Sequence, residues 1–175
     1  MRALPLLAAA ALSVAVLAHA PDARADTGHV GLVGGAMTLE EDGRTEWRPH
    51  LRTEIGFRLW GPFELGGFVQ LGTLGLPAEM PSFGGGVLVQ LRPDRSFFGF
   101  VPHAEVSGSR ATLPTSQGRV DAWGLSVGGG LGYELGAGVV IEARLHHQWY
   151  FDLPEDGRLG VDGWTVTGGV TYRLP

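Results

Sequence analysis

Residues 141–151 read Ile-Glu-Ala-Arg-Leu-His-His-Gln-Trp-Tyr-Phe. Successive residues of a β-strand point to opposite faces, so Ile141, Ala143, Leu145, His147, Trp149 and Phe151 share one face. Glu142, Arg144, His146, Gln148 and Tyr150 share the other. The same division recurs at 51–59, where Leu51, Thr53, Ile55, Phe57 and Leu59 oppose Arg52, Glu54, Gly56 and Arg58. Trp123, Leu125, Val127, Leu131, Tyr133 and Leu135 oppose Gly124, Ser126, Gly128, Gly130, Gly132 and Glu134. Near the end of the chain, Trp164, Val166, Val170, Tyr172 and Leu174 oppose Thr165, Thr167, Thr171 and Arg173. Period two, sustained this long, is the mark of strands with one apolar face.

Outward from these stretches the pattern predicts eight strands: Gly28 to Leu39, His50 to Trp60, Phe63 to Gly75, Phe83 to Arg92, Ser96 to Leu113, Asp121 to Leu135, Val139 to Leu153 and Asp162 to Leu174. Long connections (Glu40 to Pro49, Leu76 to Ser82, Pro114 to Val120, Pro154 to Val161) alternate with short ones at Gly61-Pro62, Pro93-Asp94-Arg95 and Gly136-Ala137-Gly138. Alternation of this kind fits an up-and-down meander, and an even strand count returns both ends of the sheet to the tight-turn side. The expected fold is an all-β, eight-stranded antiparallel up-and-down transmembrane β-barrel following a cleaved signal peptide.

The signal peptide is read over residues 1–25, with the barrel domain over 26–175. Arg2 opens an apolar run from Ala3 to Ala18, and Ala23-Arg24-Ala25 is a small-x-small cleavage site before Asp26. The run is shorter than the ~20 apolar residues of a spanning helix. The whole chain has 175 residues, 13 Arg, no Lys, 18 Asp plus Glu and a formal net charge of -5. An acidic balance disfavours binding to nucleic acid, which relies on Lys and Arg neutralising phosphates. No Cys is present, which excludes disulfides, thiolate nucleophiles and Cys-based metal centres.

A membrane barrel is apolar outside and polar within; a soluble ligand-binding barrel is the reverse. The polar face here mixes charge with very small residues, as the narrow interior of an eight-stranded barrel requires. By parity the inward charges are Arg52, Arg58, Arg92, Arg144 and Arg173 with Glu54, Glu64, Glu105, Glu134 and Glu142. Five against five suits a closed interior, because a buried charge is tolerated when paired. Trp123 and Tyr133 lie ten residues apart on the apolar face, and Trp164 and Tyr172 eight apart. Ten residues at ~3.3 Å each, tilted near 40°, climb ~25 Å, the height of an outer-membrane apolar band. Together with Trp149 these aromatics are read as interfacial.

Two features strain the pattern. Pro102 falls inside the fifth strand, where a bulge or local distortion is expected. The fifth to seventh strands exceed the ~9 to 11 residues needed to cross a bilayer, and Arg110 lies on the apolar parity. A sheet projecting above the membrane accounts for both.

Candidate chemistry is sparse. His103, Glu105 and Ser107 alternate on one face, but residues two apart on a strand stand ~6.6 Å from one another, too far for direct relay. No catalytic, cofactor-binding or metal site is assigned. The acidic stretches Glu40-Glu41-Asp42 and Asp152 with Glu155-Asp156 lack the spacing of a calcium loop. Glycines 84–86 and 128–130 precede no helix, so they relieve crowding in strands rather than cradle a phosphate.

The stretches GLSVGGGLGYELG (124–136) and WTVTGGVTYRLP (164–175) resemble the small outer-membrane β-barrel proteins of Gram-negative bacteria, the OmpA/OmpX-like eight-stranded group. Tyr172, Leu174 and Pro175 depart from the aromatic ending usual in that family. The resemblance implies residence in the cell outer membrane, in a family of structural anchors, adhesins and serum-resistance factors among which it does not choose; the leading expectation is a non-enzymatic anchor and scaffold for surface loops. It implies contact with outer-membrane lipids and lipopolysaccharide, handling by the barrel-assembly machinery, and an unidentified surface partner. A soluble periplasmic barrel with an apolar ligand and a lipid A-modifying barrel enzyme are the alternatives.

Overall fold

The computed structural model describes residues 27–41, 44–72, 82–93, 96–115, 118–151 and 161–174. The segment read as a signal peptide lies outside them. Eight strands follow in chain order: β1 Gly28–Glu41, β2 Arg44–Trp60, β3 Phe63–Gly72, β4 Ser82–Leu91, β5 Phe100–Thr115, β6 Gly118–Gly136, β7 Val139–Phe151 and β8 Val161–Leu174. Each pairs antiparallel with its sequence neighbours, and β8 returns to β1, closing the barrel.

Strand tilt follows from the register. Stepping across paired residues from Gly28 leads through Phe57, Leu65, Val89, Val106, Val127, His147 and Trp164. Trp164 precedes Thr165, which pairs with Met37, so the circuit re-enters β1 at Thr38. The displacement is 38 − 28 = 10 residues over eight strands. A stagger of that size tilts the strands by ~40° and leaves an interior that side chains can fill.

The hairpins at one end are longer than the sequence suggests. Glu40 to Pro49 is not a loop: β1 and β2 pair out to Glu41↔Arg44. Pro114 to Val120 likewise runs mostly in ladder, to Thr115↔Gly118. Polar composition at both places reflects strands whose two faces leave the apolar band, not missing strand structure. The projecting hairpins are therefore β1–β2 and β5–β6, on opposite sides of the barrel. β7 is described to Phe151, and residues 152–160, into which the sequence reading extended it, lie outside the described set.

The other end carries tight turns. Gly136 and Gly138 take φ of +102° and +78° around Ala137 at +50°, a reversal that a chain of larger residues would resist. Residues 96–99 are not part of β5: Phe97 bridges to Phe100 around Phe98 and Gly99, both with positive φ. Pro102 needs no bulge. It pairs with Leu131 in unbroken register, and Gly99 O accepts Glu134 N–H, so odd residues of this stretch bond to β6. The missing N–H of Pro102 thus faces β4, just past the last β4–β5 pair, Leu91↔Ala104.

Candidate functional site

Parity alone orients the wall. Ile141 and Leu145 are 48% and 49% exposed, whereas Glu142 and Arg144 between them are 3% and 2%. The outer face at mid-height is aliphatic: Leu32, Val69, Val87, Val89, Val106, Val127. Aromatic residues flank it at both ends. Trp60, Phe63, Phe100, Tyr133 and Tyr172 lie exposed toward the tight turns, and Trp47, Phe83, Trp123 and Trp164 toward the long hairpins. Trp149 lies outward as well, with the His147 ring tilted against it at 4.5 Å and edge-on to Trp164 at 4.5 Å.

All ten charges singled out by parity point into the barrel. Eight of them are buried, while the Arg58 and Glu134 side chains, near the tight-turn end, are 15% and 29% exposed. Glu54 anchors the middle. It accepts two bonds from Arg144, at 2.8 and 2.5 Å, and Arg52 Nη2 stands 2.9 Å from its Oε2. Arg52 also reaches Glu105, at 2.8 Å, whose other oxygen accepts Gln90 Nε2 at 2.8 Å. Arg144 donates to Glu142 at 2.5 Å, and Glu142 in turn meets Arg92 at 3.4 Å and accepts the Thr171 hydroxyl. Arg58 donates to Glu64 at 2.7 Å. Arg173 stands 3.9 Å from Glu134, a separate pair.

Histidines complete the network, and two of them escape the sequence reading. His29 on β1 bridges Glu64, 2.6 Å from Nδ1, and Glu54, 3.1 Å from Nε2. The only signal for it is its alternation with Gly31 and Val33, which was too apolar to suggest a polar interior. His50 sits on the inward parity two residues before Arg52 and is buried. With His29 included, one connected network draws on every strand but β6. That strand instead offers Ser126, Gly128, Gly130 and Gly132 inward, and a Cβ on Gly128 would collide with the His146 ring. Small residues on β6 are the space into which the long side chains of the other strands fold.

Beyond the charges the filling changes. Met37, Ala111, Leu113, Ala122 and Tyr150 form an apolar cluster between the long hairpins, each no more than 3% exposed. Sequence parity placed Tyr150 inward but did not foresee this cap. Tyr150 ties it to the polar filling by donating to Gln148 at 2.6 Å, and Gln148 donates to Thr165 at 2.9 Å.

The His103, Glu105, Ser107 series has no catalytic geometry. Ser107 shares its hydroxyl bond with Ser126 at 2.6 Å, Glu105 is held by Arg52 and Gln90, and all three residues are buried. Arg110 lies outward, 65% exposed, 3.5 Å from Asp121. Most of the acidic loop residues lie outside the described set, and among the described residues no cluster of three or more metal-ligating side chains occurs.

No protein-family profile matches the chain, and no curated protein matches it in sequence. Solved structures do match it. Neisserial surface protein A superposes with a TM-score of 0.65 at 15% identity, over 84% of this chain and 97% of that one. The N-terminal β-barrel domain of Pseudomonas aeruginosa OprF gives 0.57 at 17%, over 83% and 98%. Ail, the attachment invasion locus protein of Yersinia pestis, gives 0.50 at 13%, over 83% and 99%. At such identities the likeness is one of fold: the chain has the closed, eight-stranded antiparallel architecture of the small outer-membrane β-barrels.

Proposed function

We propose that this protein is a non-enzymatic barrel of the Gram-negative outer membrane, exported with residues 1–25 removed, whose plugged interior holds a set of surface-exposed hairpins. The observation that carries this reading is the inverted wall: an aliphatic outer face beside inward Arg and Glu. In water such a wall would expose a continuous apolar patch far larger than soluble monomers tolerate. In a bilayer it faces acyl chains, while Trp123, Trp149 and Trp164 on one side and Tyr133 and Tyr172 on the other take the headgroup levels. The partners that follow are outer-membrane lipids, lipopolysaccharide and the barrel-assembly machinery.

The interior favours an anchor over a pore. Polar side chains fill it and apolar ones cap it, so the fold spends its long hairpins on presentation. A role in adhesion or envelope integrity fits that geometry, and the name of the Yersinia protein points the same way. Expression in a Gram-negative host, followed by density-gradient separation of the membranes, tests the reading. The protein is expected in the outer-membrane fraction, soluble only with detergent and shifted in gel mobility by heating. Recovery from the periplasm without detergent would overturn it.

A further inference from the structure

Among the described residues the inward basic groups outnumber the inward acids: six inward Arg, Arg48 on the parity of His50 and Arg52 included, face five inward Glu. His29 touches Glu64 and Glu54 through both ring nitrogens, at 2.6 and 3.1 Å. Each contact needs a proton between nitrogen and oxygen, so the bridge carries two, whichever atoms hold them. A neutral histidine beside two carboxylates supplies one. The second adds to the positive excess, and an unbalanced charge in a closed space is costly.

Above the network, on the long-hairpin side, lies an internal cavity with room for the centre of about one water-sized sphere, about 10 Å³. Its lining includes Arg52, Arg144, His50, His146, Thr165 and Thr167, all buried, and no carboxylate. Arg52 Nε and Arg144 Nε have no hydrogen-bond acceptor, although both side chains are at least nine-tenths buried. Guanidinium groups only donate, which suits an occupant that only accepts. Tetrahedral oxyanions are too large for a space of this size.

We propose that this cavity binds one small monoatomic anion, chloride in ordinary media, held between Arg52, Arg144 and the flanking hydroxyl and imidazole groups. The ion offsets part of that positive excess and accepts from two of the buried guanidinium N–H groups, Arg52 Nε and Arg144 Nε. The site needs only the closed interior, so its test is independent of what surrounds the outer wall.

The whole folded chain in non-ionic detergent is unfolded in chloride, bromide, sulfate and gluconate at matched ionic strength. Crystals grown in bromide are examined for anomalous scattering. The unfolding midpoint should rise with the logarithm of chloride or bromide concentration as either replaces gluconate, while sulfate gives only its general salting-out rise. Bromide should appear beside Arg52 and Arg144. Thr167→Val keeps shape and removes a hydroxyl, and should shift the chloride response to about tenfold higher concentration. A midpoint equal in chloride, bromide and gluconate, with no bromide peak, means water only and overturns the proposal. An unchanged chloride response in Thr167→Val, with bromide located elsewhere, overturns it as well.

Discussion

Glu142 shows how much a single buried carboxylate governs here. It accepts bonds from Arg144, Arg92 and Thr171, so removing its charge takes a carboxylate partner from both guanidinium groups in a dry interior, leaving Arg144 to Glu54. Glu142→Leu should lower the unfolding free energy in detergent by about 3 kcal/mol. Arg110→Ala, breaking a solvent-facing pair, should cost less than about 1 kcal/mol. Denaturant titration followed by heat-modifiable gel mobility reads both, and equal losses would deny the interior its paired character. The charges were legible because an Arg or Glu every second residue has one plausible direction in a barrel. His29 was not, since Gly31 and Val33 beside it gave no polar alternation. Nor was the room made for it: a Cβ on Gly56 would collide with its ring, a relation only the folded register reveals.

At the scale of strands, period two located all eight, and the errors sit at their ends. The polar runs at 40–49 and 114–120 read as loops because Glu, Asp, Arg, Gly and Pro mark turns in a sheet with one dry face. Above the apolar band both faces of a hairpin may be polar, and the turn signal loses its meaning. Pro102 misled in the opposite sense: its bulge is unnecessary where the neighbouring strand has already ended. The turn before β5 holds a local conflict that the sequence reading, with residues 96–99 in the strand, does not show. Phe98 sits in the left-handed region at φ 55° and is 98% exposed, so it makes no packing contact that would offset the strain. Phe98→Gly should raise the unfolding free energy by about 1 kcal/mol, read from the same denaturant titration. A loss of that size would mean the exposed ring is held by contacts with its surroundings that outweigh the backbone cost.

The whole molecule is a cylinder with three kinds of filling, charged toward the tight turns, neutral polar above, and apolar at the cap of Met37, Ala111, Leu113, Ala122 and Tyr150. Among the described residues, side chains occupy the interior at all three levels. Reconstituted in a planar bilayer, the protein should show no stepwise single-channel currents; reproducible steps would mean that cap and network open together. The central claim concerns the outside of the wall, and the absence of cysteine makes it directly measurable. Single nitroxide labels at Val127→Cys and Leu145→Cys, in the protein folded into lipid vesicles, report what the outward mid-height positions touch. The account predicts high accessibility to dissolved oxygen and almost none to a water-soluble nickel chelate at both sites. Strong nickel accessibility there would place the aliphatic face in water and contradict it.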